Sequence, residues 1–322
     1  MEGSLPTKAL TLAAVVVTYN RLEKLRATVE RLLGEALDHI IVVDNGSTDG
    51  SRAWLTRQTD PRVRLIYADE NLGGAGGFER GMRLAMAEYN PDWLILMDDD
   101  GRPEPGTIAD FRAAPHGAWD AYAAAVRYPS GEICEMNRPT VNPFWHLKAF
   151  LRTLFRGGQE GFHIPDTAYE TASGQRQIDV TSFVGFFVSR ETVARVGFPD
   201  GRLFVYGDDV LYTLGISAAG LRIGFAPEYR FEHDCSTFDA AVRVYRPLWK
   251  VYYNFRNGIL VYRQAAGIFF WPALCLKVPL WFLASRRYGA DAGAYRRLLA
   301  RAVRDGLFHR LEDADIRPGG SS

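Results

Sequence analysis

Three carboxylates stand side by side in the sequence, as Asp98-Asp99-Asp100, directly after the apolar run 93–97. Adjacent carboxylates repel one another, and a divalent cation relieves that repulsion. On an extended chain the first and third side chains point the same way, so Asp98 and Asp100 could share one ion. The competing interpretation is a solvated acidic turn that opens the following helix.

A second acidic pair, Asp208-Asp209, follows Gly207 and opens a predicted helix. A helix N-terminus stabilises a carboxylate as an anion, so one aspartate can serve as a general base while the other caps the helix. Both could equally be capping residues. His233 ends an apolar strand and is a candidate third metal ligand, although most single histidines in proteins are not ligands.

Two loops carry groups suited to a nucleotide. Asp44 lies in Val-Val-Asp-Asn-Gly-Ser-Thr-Asp-Gly, where its carboxylate can accept a hydrogen bond from a nucleobase imide. Alternatively, Asp44 and Asn45 form an Asx turn before a capped helix. Asn71-Leu72-Gly73-Gly74-Ala75-Gly76-Gly77-Phe78 brings four glycines to a helix start, where backbone can approach a ligand and free amides attract phosphate. The spacing is neither GxGxxG nor a Walker loop, which disfavours dinucleotide and ATP binding.

These groups need elements that bring them together, and the first hundred residues predict such elements. The first predicted strand, 13–17, is a Val-rich apolar run that suits burial on both faces of a parallel sheet, and 39–43, 63–67 and 93–97 are the other predicted strands. The predicted helices are 22–33 and 75–89, with a shorter one after the turn 44–47. The alternation predicts a right-handed α/β parallel sheet. The polar clusters 18–21, 44–49 and 98–100 then lie at the carboxyl ends of strands, where such sheets bind ligands.

Beyond residue 100 the pattern is less regular. The segment 103–176 is interrupted by Pro and Gly, and only 119–126 within it is predicted to be a strand. Residues 180–189 indicate a buried strand or strand pair, 210–219 a helix, and 223–231 a final strand.

Length and composition predict a large folded core: the chain has 322 residues, 47% of them hydrophobic, which excludes a fibre or a disordered chain. The 38 basic and 38 acidic residues cancel, which argues against a generally basic nucleic-acid-binding protein. Residues 241–322 hold 14 Lys or Arg against 5 Asp or Glu, whereas residues 1–240 hold 24 against 33. We therefore predict an acidic domain, 1–240, followed by a basic section, 241–322.

Three widely spaced cysteines, Cys134, Cys235 and Cys275, form no CxxC pair. The sequence therefore predicts neither a disulfide framework nor a zinc knuckle, and a reducing cytoplasm fits this usage best. The first eight residues lack a basic stretch followed by an apolar run, so we expect no signal peptide.

The section 241–322 is aromatic and Arg-rich, with an apolar stretch at 265–285. Lys277, Pro272 and Pro279 interrupt this stretch, and about 20 apolar residues are needed to span a bilayer, so we expect no spanning helix. We expect instead an amphipathic helix pair on an anionic membrane surface, and the alternative is a helical cap with a solvated basic face. The residues that favour the membrane are Arg263, Arg286, Arg287, Arg296, Arg297, Arg301, Arg304, Phe269, Phe270, Trp271, Trp281 and Phe282.

In this order, the segments resemble the inverting nucleotide-sugar glycosyltransferases of family 2, which have the GT-A fold, a Rossmann-like nucleotide-sugar-binding sheet. The resemblance covers about residues 12–262. Its strongest parts are Val-Val-Val-Thr-Tyr-Asn-Arg, the segment containing Asp44, the aspartate triplet and Gly-Asp-Asp before a helix. Within the family, residues 71–78 and Tyr253-Asn254-Phe255-Arg256-Asn257 resemble the galactofuranosyltransferases of mycobacterial cell-wall synthesis.

The resemblance implies a role for each candidate residue. Asp98, Asp100 and His233 would ligate Mn²⁺ or Mg²⁺, and Asp209 would be the catalytic base with Asp208 as its neighbour. The nucleotide- and donor-binding residues would be Thr18, Tyr19, Asn20, Arg21, Asp44, Asn71, Gly74, Gly76, Gly77, Phe78, Asp98 and Asp99. Among these, Thr18, Arg21 and Asp44 would hold the uridine and the diphosphate, and Gly74 to Phe78 would lie beside the donor sugar.

The implied function is a metal-dependent inverting hexosyltransferase. It would move galactofuranose from UDP-galactofuranose to a hydroxyl of a glycan or lipid-linked acceptor in cell-envelope polysaccharide synthesis. A rhamnosyl or other hexosyl transferase with a different nucleotide sugar, and a non-catalytic nucleotide-sugar-binding protein, are the alternatives. We expect a cytoplasmic protein held peripherally at the inner face of the cell membrane, without a nucleic-acid partner, and the sequence predicts neither the acceptor nor the oligomeric state.

Overall fold

A computed structural model describes residues 10–156, 159–235, 244–311 and 316, which form one mixed sheet flanked by helices and followed by a helical C-terminal section. The strands are β1 (Leu12–Thr18), β2 (His39–Asp44), β3 (Val63–Tyr67), β4 (Trp93–Asp98), β5 (Gly101–Pro103), β6 (Ala121–Arg127), β7 (Arg176–Ile178), β8 (Phe186–Ser189) and β9 (Ile223–His233). The α-helices are α1 (Leu22–Leu33), α2 (Ser51–Leu55), α3 (Gly73–Glu88), α4 (Thr107–Ala113), α5 (Leu147–Arg156), α6 (Arg190–Val196), α7 (Asp208–Ala218), α8 (Trp249–Ala266), α9 (Phe270–Leu283) and α10 (Ala292–Leu307).

The parallel half of the sheet confirms the α/β prediction for the first hundred residues. Its strands run in the order β3-β2-β1-β4, and all three pairings are parallel. Alternate side chains of β1 enter two separate apolar cores, with Val15 packed on the α3 side and Val16 on the α1 side. Thr18 pairs with Asp44 and Val17 with Asp98, so the polar ends of β1, β2 and β4 lie level with one another.

The other half of the sheet brings distant residues to those strand ends. β8 pairs antiparallel with β4 and with β6, and β6 pairs parallel with β9. The short strand β5 continues directly from the aspartate triplet and pairs antiparallel with β9, with Gly101 opposite His233. This register places His233 beside residues more than 130 positions earlier in the chain.

Two sequence predictions need correction. The strand predicted over 180–189 begins only at Phe186, because Thr181 instead bonds to helix α7 through Thr213, and Gly185 adopts a positive φ of 67°. The segment predicted to be irregular, 103–176, contains helices α4 and α5. Helix α4 has only 7 residues, too few to display a helical period, and α5 exposes much of its apolar surface instead of burying it.

The C-terminal section is a bent helical layer. By length and hydropathy, one run in the described part of the chain, Trp249–Leu307, is long and apolar enough to cross a membrane. Gly267 and Gly289 have φ values of 51° and 54°, however, and they divide the run into α8, α9 and α10. Helix α9 has 14 residues and is therefore about 21 Å long, less than the ~30 Å hydrocarbon thickness. The predicted boundary at residue 240 lies outside the described residues.

Candidate active site

The three predicted metal ligands meet at the carboxyl end of β4. Asp98, Asp100 and His233 each present a ligand atom, and these three atoms lie within 4.8 Å of one another. His233 Nε2 is 3.1 Å from Asp100 Oδ1, and Asp100 and His233 are both buried. Two carboxylates and an imidazole suit Mn²⁺ or Mg²⁺, and three protein ligands leave coordination positions for a substrate. The residues present therefore fit the predicted ion.

The charge balance of this cluster also favours a cation. Burial raises the pKa of Asp98 to about 7, and the neighbouring Asp100 carboxylate contributes to that rise. Burial opposes ionisation of His233, but its hydrogen bond and ion pair with Asp100 prevail and raise its pKa to about 10. The same contacts, with Arg21, hold the pKa of Asp100 below its usual range despite burial. Without an ion, the cluster thus retains protons on Asp98 and His233, which a divalent cation would displace.

The middle aspartate faces the first loop. Thr18 Oγ1 donates to Asp99 Oδ2 at 2.7 Å, and Arg21 Nη1 lies 3.2 Å from Asp99 Oδ1 and 2.5 Å from Asp100 Oδ2. Burial raises the pKa of Asp99 to about 6, against the opposing charge of Arg21. Arg21 is therefore a long cationic side chain held at the metal cluster, in position to exchange a carboxylate for a phosphate oxygen.

The remaining residues of the first two loops are placed differently. Tyr19 is 41% exposed, while Asn20 accepts a hydrogen bond from the Thr48 amide and ties the two loops together. Asp44 has no exposed surface: it accepts from the Ser47 amide at 3.0 Å and pairs with Arg52 at 3.3 Å. This bond spans three residues, whereas an Asx turn spans two, and helix α2 follows Gly50 without a side-chain cap from Ser47 or Thr48. A nucleobase would reach Asp44 only if Arg52 or the loop moved. Its predicted base contact stays a prediction.

The second acidic pair opens α7, as predicted. Asp208 is buried, and burial together with the Asp209 charge raises its pKa well above the usual range. Burial also raises the pKa of Asp209, to about 6. The pair lies close enough to the metal cluster that the Asp208 and Asp209 charges each interact with Asp98. The sheet and α7 thus bring the candidate Mn²⁺ or Mg²⁺ site close to Asp209, a carboxylate with a near-neutral pKa.

The loop before this pair is strained and is held by α8. Phe204 and Tyr206 both have a φ of 67°, a conformation that costs energy for side chains other than glycine. Asn257 Nδ2 donates to the carbonyl oxygens of Leu203, Val205 and Tyr206 at 2.8–3.0 Å. The sequence assigned no chemistry to Asn257, because the only signal was its place in a short motif of a related subfamily.

Arg256 supports the same loop from a fully buried position. Its Nη2 donates to the carbonyl oxygens of Arg202 and Leu203, at 3.2 Å and 3.0 Å, and its Nε donates to Asn257 Oδ1 at 2.9 Å. The carbonyl oxygens and the faces of Tyr252 and Tyr253 compensate the buried guanidinium. Arg256 and Asn257 are therefore positioning residues for the acidic pair.

The glycine-rich segment forms the first turn of α3, beside that loop. Asn71 Oδ1 accepts from the Gly73 amide at 2.8 Å, and a Cβ on Gly73 would lie 2.0 Å from the Phe204 carbonyl oxygen. Gly77 packs closely on Val17, Gly76 on Leu72, and Phe78 on Phe183. Only Gly74 of the predicted glycines would have nothing within 4 Å of an added Cβ, so it faces open space. The close approach to another segment's backbone thus occurs at Gly73, which the sequence did not single out, whereas Gly76 and Gly77 lie close to the side chains of Leu72 and Val17.

Two cavities adjoin these groups. One, of about 440 Å³, is lined by Asn20, Arg21, Lys24, Asp49, Asp100 and Asp234. The other, of about 340 Å³, is lined by residues of α7 and α8 and reaches Asp208. The first cavity therefore reaches the metal cluster at Asp100, and the second reaches the acidic pair at Asp208.

Comparison with known proteins identifies the sequence family. Residues 13–177 match the profile of Glycosyl transferase family 2. The chain is 30% identical over 305 residues to the galactofuranosyltransferase GlfT1 of Mycolicibacterium smegmatis, an alignment that covers 87% of this chain and 92% of that protein. It is 31% identical over 235 residues to GlfT1 of Mycobacterium tuberculosis, covering 70% of each chain.

Solved structures support the GT-A fold. The mannosyltransferase PcManGT of Pyrobaculum calidifontis, in complex with GDP-Man and Mn²⁺, superposes with a TM-score of 0.51 at 16% identity, covering 95% of this chain and 89% of that one. GalNAc-T7 with UDP, GalNAc and Mn²⁺ also gives a TM-score of 0.51, at 13% identity, covering 79% of this chain and 48% of that one. At these identities the likeness concerns the fold, and it confirms the fold class expected from the sequence.

Proposed function

The chain belongs to glycosyl transferase family 2 and is a glycosyltransferase, and from this premise we propose that it transfers galactofuranose from UDP-galactofuranose to a hydroxyl of a glycan or lipid-linked acceptor, with inversion. The relatives named as galactofuranosyltransferases support this donor, since they align over most of the chain. The observation that carries the chemistry is the meeting of a three-ligand hard-ion site with the acidic pair at the start of α7.

Mn²⁺ or Mg²⁺ would be held by Asp98, Asp100 and His233. When bound, such an ion supplies positive charge that stabilises the nucleoside diphosphate as it leaves. Arg21 would bind the diphosphate in exchange for its contact with Asp100, while Thr18 keeps Asp99 oriented toward the donor. We further propose that the space above Gly74 accommodates part of the donor sugar.

Asp209 is the proposed general base. Its pKa of about 6 leaves it ionised at neutral pH but still basic enough to accept a proton from an acceptor hydroxyl. The hydroxyl oxygen would attack the anomeric carbon from the face opposite the diphosphate, the bond to the diphosphate oxygen would break, and the hydroxyl proton would move to an Asp209 carboxylate oxygen. Asp208 is buried, and burial together with the Asp209 charge raises its pKa well above the usual range, so we assign it a positioning role.

A donor panel tests the proposal. Purified protein with Mn²⁺ is offered UDP-galactofuranose, UDP-galactopyranose and thymidine diphosphate-rhamnose together with a lipid-linked glycan acceptor. We expect transfer, or slow hydrolysis of the donor, with UDP-galactofuranose and with neither of the other two donors. Turnover only with the thymidine donor would establish the rhamnosyl alternative and refute the galactofuranose assignment.

We also propose that the protein works at an anionic membrane surface, with residues 1–240 as its catalytic part and 241–322 as a basic section that contributes to docking. Among the described residues, eleven of the fourteen exposed large apolar side chains fall in two segments, 145–155 and 268–283. These segments touch, because the Phe150 and Phe269 rings stack 5.5 Å apart. We call their joint surface, formed by α5, α9 and the turn between α8 and α9, the apolar platform.

The charges around the apolar platform match anionic lipid. Segments 141–156 and 263–290 contain no Asp or Glu, and exposed Lys148, Arg152 and Lys277 border the apolar side chains. Each basic residue near an anionic surface contributes about 1 kcal/mol to binding. Of the five aromatic residues expected to face the membrane, Phe269 and Trp271 are exposed, Phe270 is buried, and Trp281 and Phe282 are half-buried. Helix α5, which the sequence did not predict, supplies exposed apolar side chains in place of the predicted aromatic residues that are buried or half-buried.

Vesicle flotation tests this docking. Phe155→Glu on α5 should weaken binding to vesicles containing phosphatidylserine by about 10-fold or more, because burying one Phe is worth ~1.5–3 kcal/mol. Met136→Glu is the matched control, since Met136 is 45% exposed but lies outside the apolar platform. Equal flotation of both variants, or equal binding to neutral vesicles, would contradict the proposal.

A further inference from the structure

His233 faces two clusters of different chemistry with its two ring nitrogens. Its Nε2 lies against Asp100, in the oxygen cluster described above. Its Nδ1 lies 2.6 Å from Asn137 Oδ1 and 3.8 Å from Cys134 Sγ. Cys134, His233 and Cys235 each present a ligand atom, and the three atoms lie within 4.8 Å of one another. The proposed transfer reaction uses neither of these thiols.

The sheet register brings this sulfur cluster together. The Cys134 amide donates to the Val126 carbonyl oxygen at 3.1 Å, and Val126 of β6 pairs with Phe231 of β9. His233 ends β9, and Cys235 follows two residues later. The spacing of 101 positions between the two cysteines explains why the sequence predicted no metal site from them.

Thiolate sulfur and imidazole nitrogen select a different class of ion from carboxylate oxygen. Zn²⁺ binds Cys sulfur at about 2.3 Å and His nitrogen at about 2.1 Å, so tetrahedral ligand atoms lie about 3.6 Å apart. The 3.8 Å between Cys134 Sγ and His233 Nδ1 is close to that separation. We propose that Cys134, Cys235 and His233 Nδ1 form a site for a thiophilic divalent cation of the Zn²⁺ class, separate from the Asp98–Asp100 site. The ion takes the place of the hydrogens that Nδ1 and the Cys134 thiol direct at Asn137 Oδ1, so this oxygen gives up both bonds when the ion binds.

This site has a consequence for catalysis that rests on the proposed function. A neutral imidazole has one lone pair, so His233 cannot ligate two ions at once. With a thiophilic ion on Nδ1, Nε2 carries hydrogen and donates to Asp100 instead of ligating Mn²⁺ or Mg²⁺. Each ion therefore weakens the binding of the other by the same factor. A thiophilic cation is an inhibitor of the metal-dependent reaction, and chelation relieves the inhibition.

Co²⁺ is a suitable probe because thiolate coordination to cobalt gives an intense near-ultraviolet charge-transfer band, which oxygen and nitrogen ligands do not give. Chelator-treated, reduced full-length protein is titrated with Co²⁺, and the band is followed. Wild type should show it, and so should Asp98→Asn, which alters only the oxygen cluster. Cys275→Ser is the matched control, since Cys275 is an exposed thiol outside the sulfur cluster, and it should also keep the band.

Cys134→Ser and Cys235→Ser should weaken cobalt binding more than ~100-fold, since loss of even an outer-sphere partner of a metal ligand costs 10–100-fold. Cys235 is less buried than Cys134, so Cys235→Ser serves if the core substitution prevents folding. Absence of the band in wild type, its survival in a folded Cys235→Ser protein, or its loss in Cys275→Ser or Asp98→Asn would overturn the site. These optical results do not depend on whether the protein transfers a sugar.

A second measurement addresses the antagonism. Zn²⁺ should inhibit transfer by wild type and Cys275→Ser at least 10-fold more strongly than transfer by Cys235→Ser, with the inhibition decreasing as Mn²⁺ increases. Equal inhibition of all three proteins would refute the shared-histidine argument. If the galactofuranose donor proves wrong, the same comparison applies to whichever donor the panel identifies.

Discussion

Gly73→Ala should disable the enzyme through a backbone clash that can be worked out from the structure. An added Cβ would lie 2.0 Å from the carbonyl oxygen of Phe204, whereas ordinary contact begins at 3.4 Å. One of the two segments must therefore move by about 1.4 Å. Gly73 is held on its own side by Asn71 and by Asn45, which bonds to its carbonyl oxygen at 2.9 Å. The loop that precedes Asp208 will consequently shift.

The expected loss is large because the acidic pair begins only four residues after Phe204. A misplacement of about 1 Å at a reacting group can cost ~10²-fold in rate, so we expect kcat to fall at least 100-fold. Gly73 also has a φ of 69°, which adds roughly 1–2 kcal/mol of backbone strain when a side chain is present. Steady-state transfer kinetics measure the loss of kcat, thermal melting measures the backbone strain, and metal-dependent UDP binding shows whether the donor site is intact.

Gly106→Ala is the matched control for that strain. Gly106 has a φ of 88°, but nothing lies within 4 Å of an added Cβ. It should melt lower by an amount similar to the strain component of Gly73→Ala and retain wild-type kcat. If Gly73→Ala is folded and keeps kcat within about 10-fold of wild type, the contact between α3 and the Phe204 loop does not set the geometry of the base.

Three further outcomes follow from the same site. Asp209→Asn should lower the transfer rate by ~10²–10⁴-fold while leaving Mn²⁺-dependent UDP binding nearly unchanged. In wild type, kcat/KM should fall as pH drops through about 6. A transfer rate unaffected by the substitution would show that another residue is the base. Asn257→Ala removes two amide hydrogens, which three carbonyl oxygens share, and the oxygen that accepts from Arg256. At ~1 kcal/mol for each lost group, the free energy of unfolding, measured by urea denaturation, should fall by about 3 kcal/mol, and kcat should fall with it. The raised pKa values of Asp98 and His233 mean that the ion-free protein binds more protons when folded than when unfolded, so its melting temperature should fall as pH rises from about 5 to 8. Added Mn²⁺ should raise the melting temperature more at pH 8 than at pH 5. The opposite trend would contradict the charge balance of the cluster.

The parallel sheet and its strand-end clusters could be predicted because both depend on local sequence. A Val-rich run such as 13–17 is apolar enough to be buried on both faces wherever it packs. Short links between strand and helix then fix parallel order, so Thr18, Asp44 and Asp98 had to end at the same edge. The pairing of His233 with that edge came from family resemblance, since no local rule joins β5 to β9.

The remaining features depend on contacts between segments far apart in sequence. Gly73 resembles its glycine neighbours in sequence, and only the Phe204 carbonyl oxygen, about 130 positions away, distinguishes it. Asn257 acts on carbonyl oxygens about 50 positions earlier, and backbone carbonyls leave no mark in a sequence. Helix α5 is a different case: its apolar residues at 147, 150, 151, 154 and 155 have helical spacing, but the Pro and Gly residues around them led to the prediction of an irregular segment.

Helix α8 links the two proposed halves of the reaction. At Asn257 it fixes the loop before the acidic pair, and at Ala265 its carbonyl oxygen accepts from Asn142, next to the apolar platform. The eight helical steps from Asn257 to Ala265 span about 12 Å. In the proposed docking, this helix would set the distance between the membrane and Asp209. We therefore expect an acceptor whose reacting hydroxyl lies close to its lipid anchor, such as a short lipid-linked glycan, in preference to the far end of a long polymer.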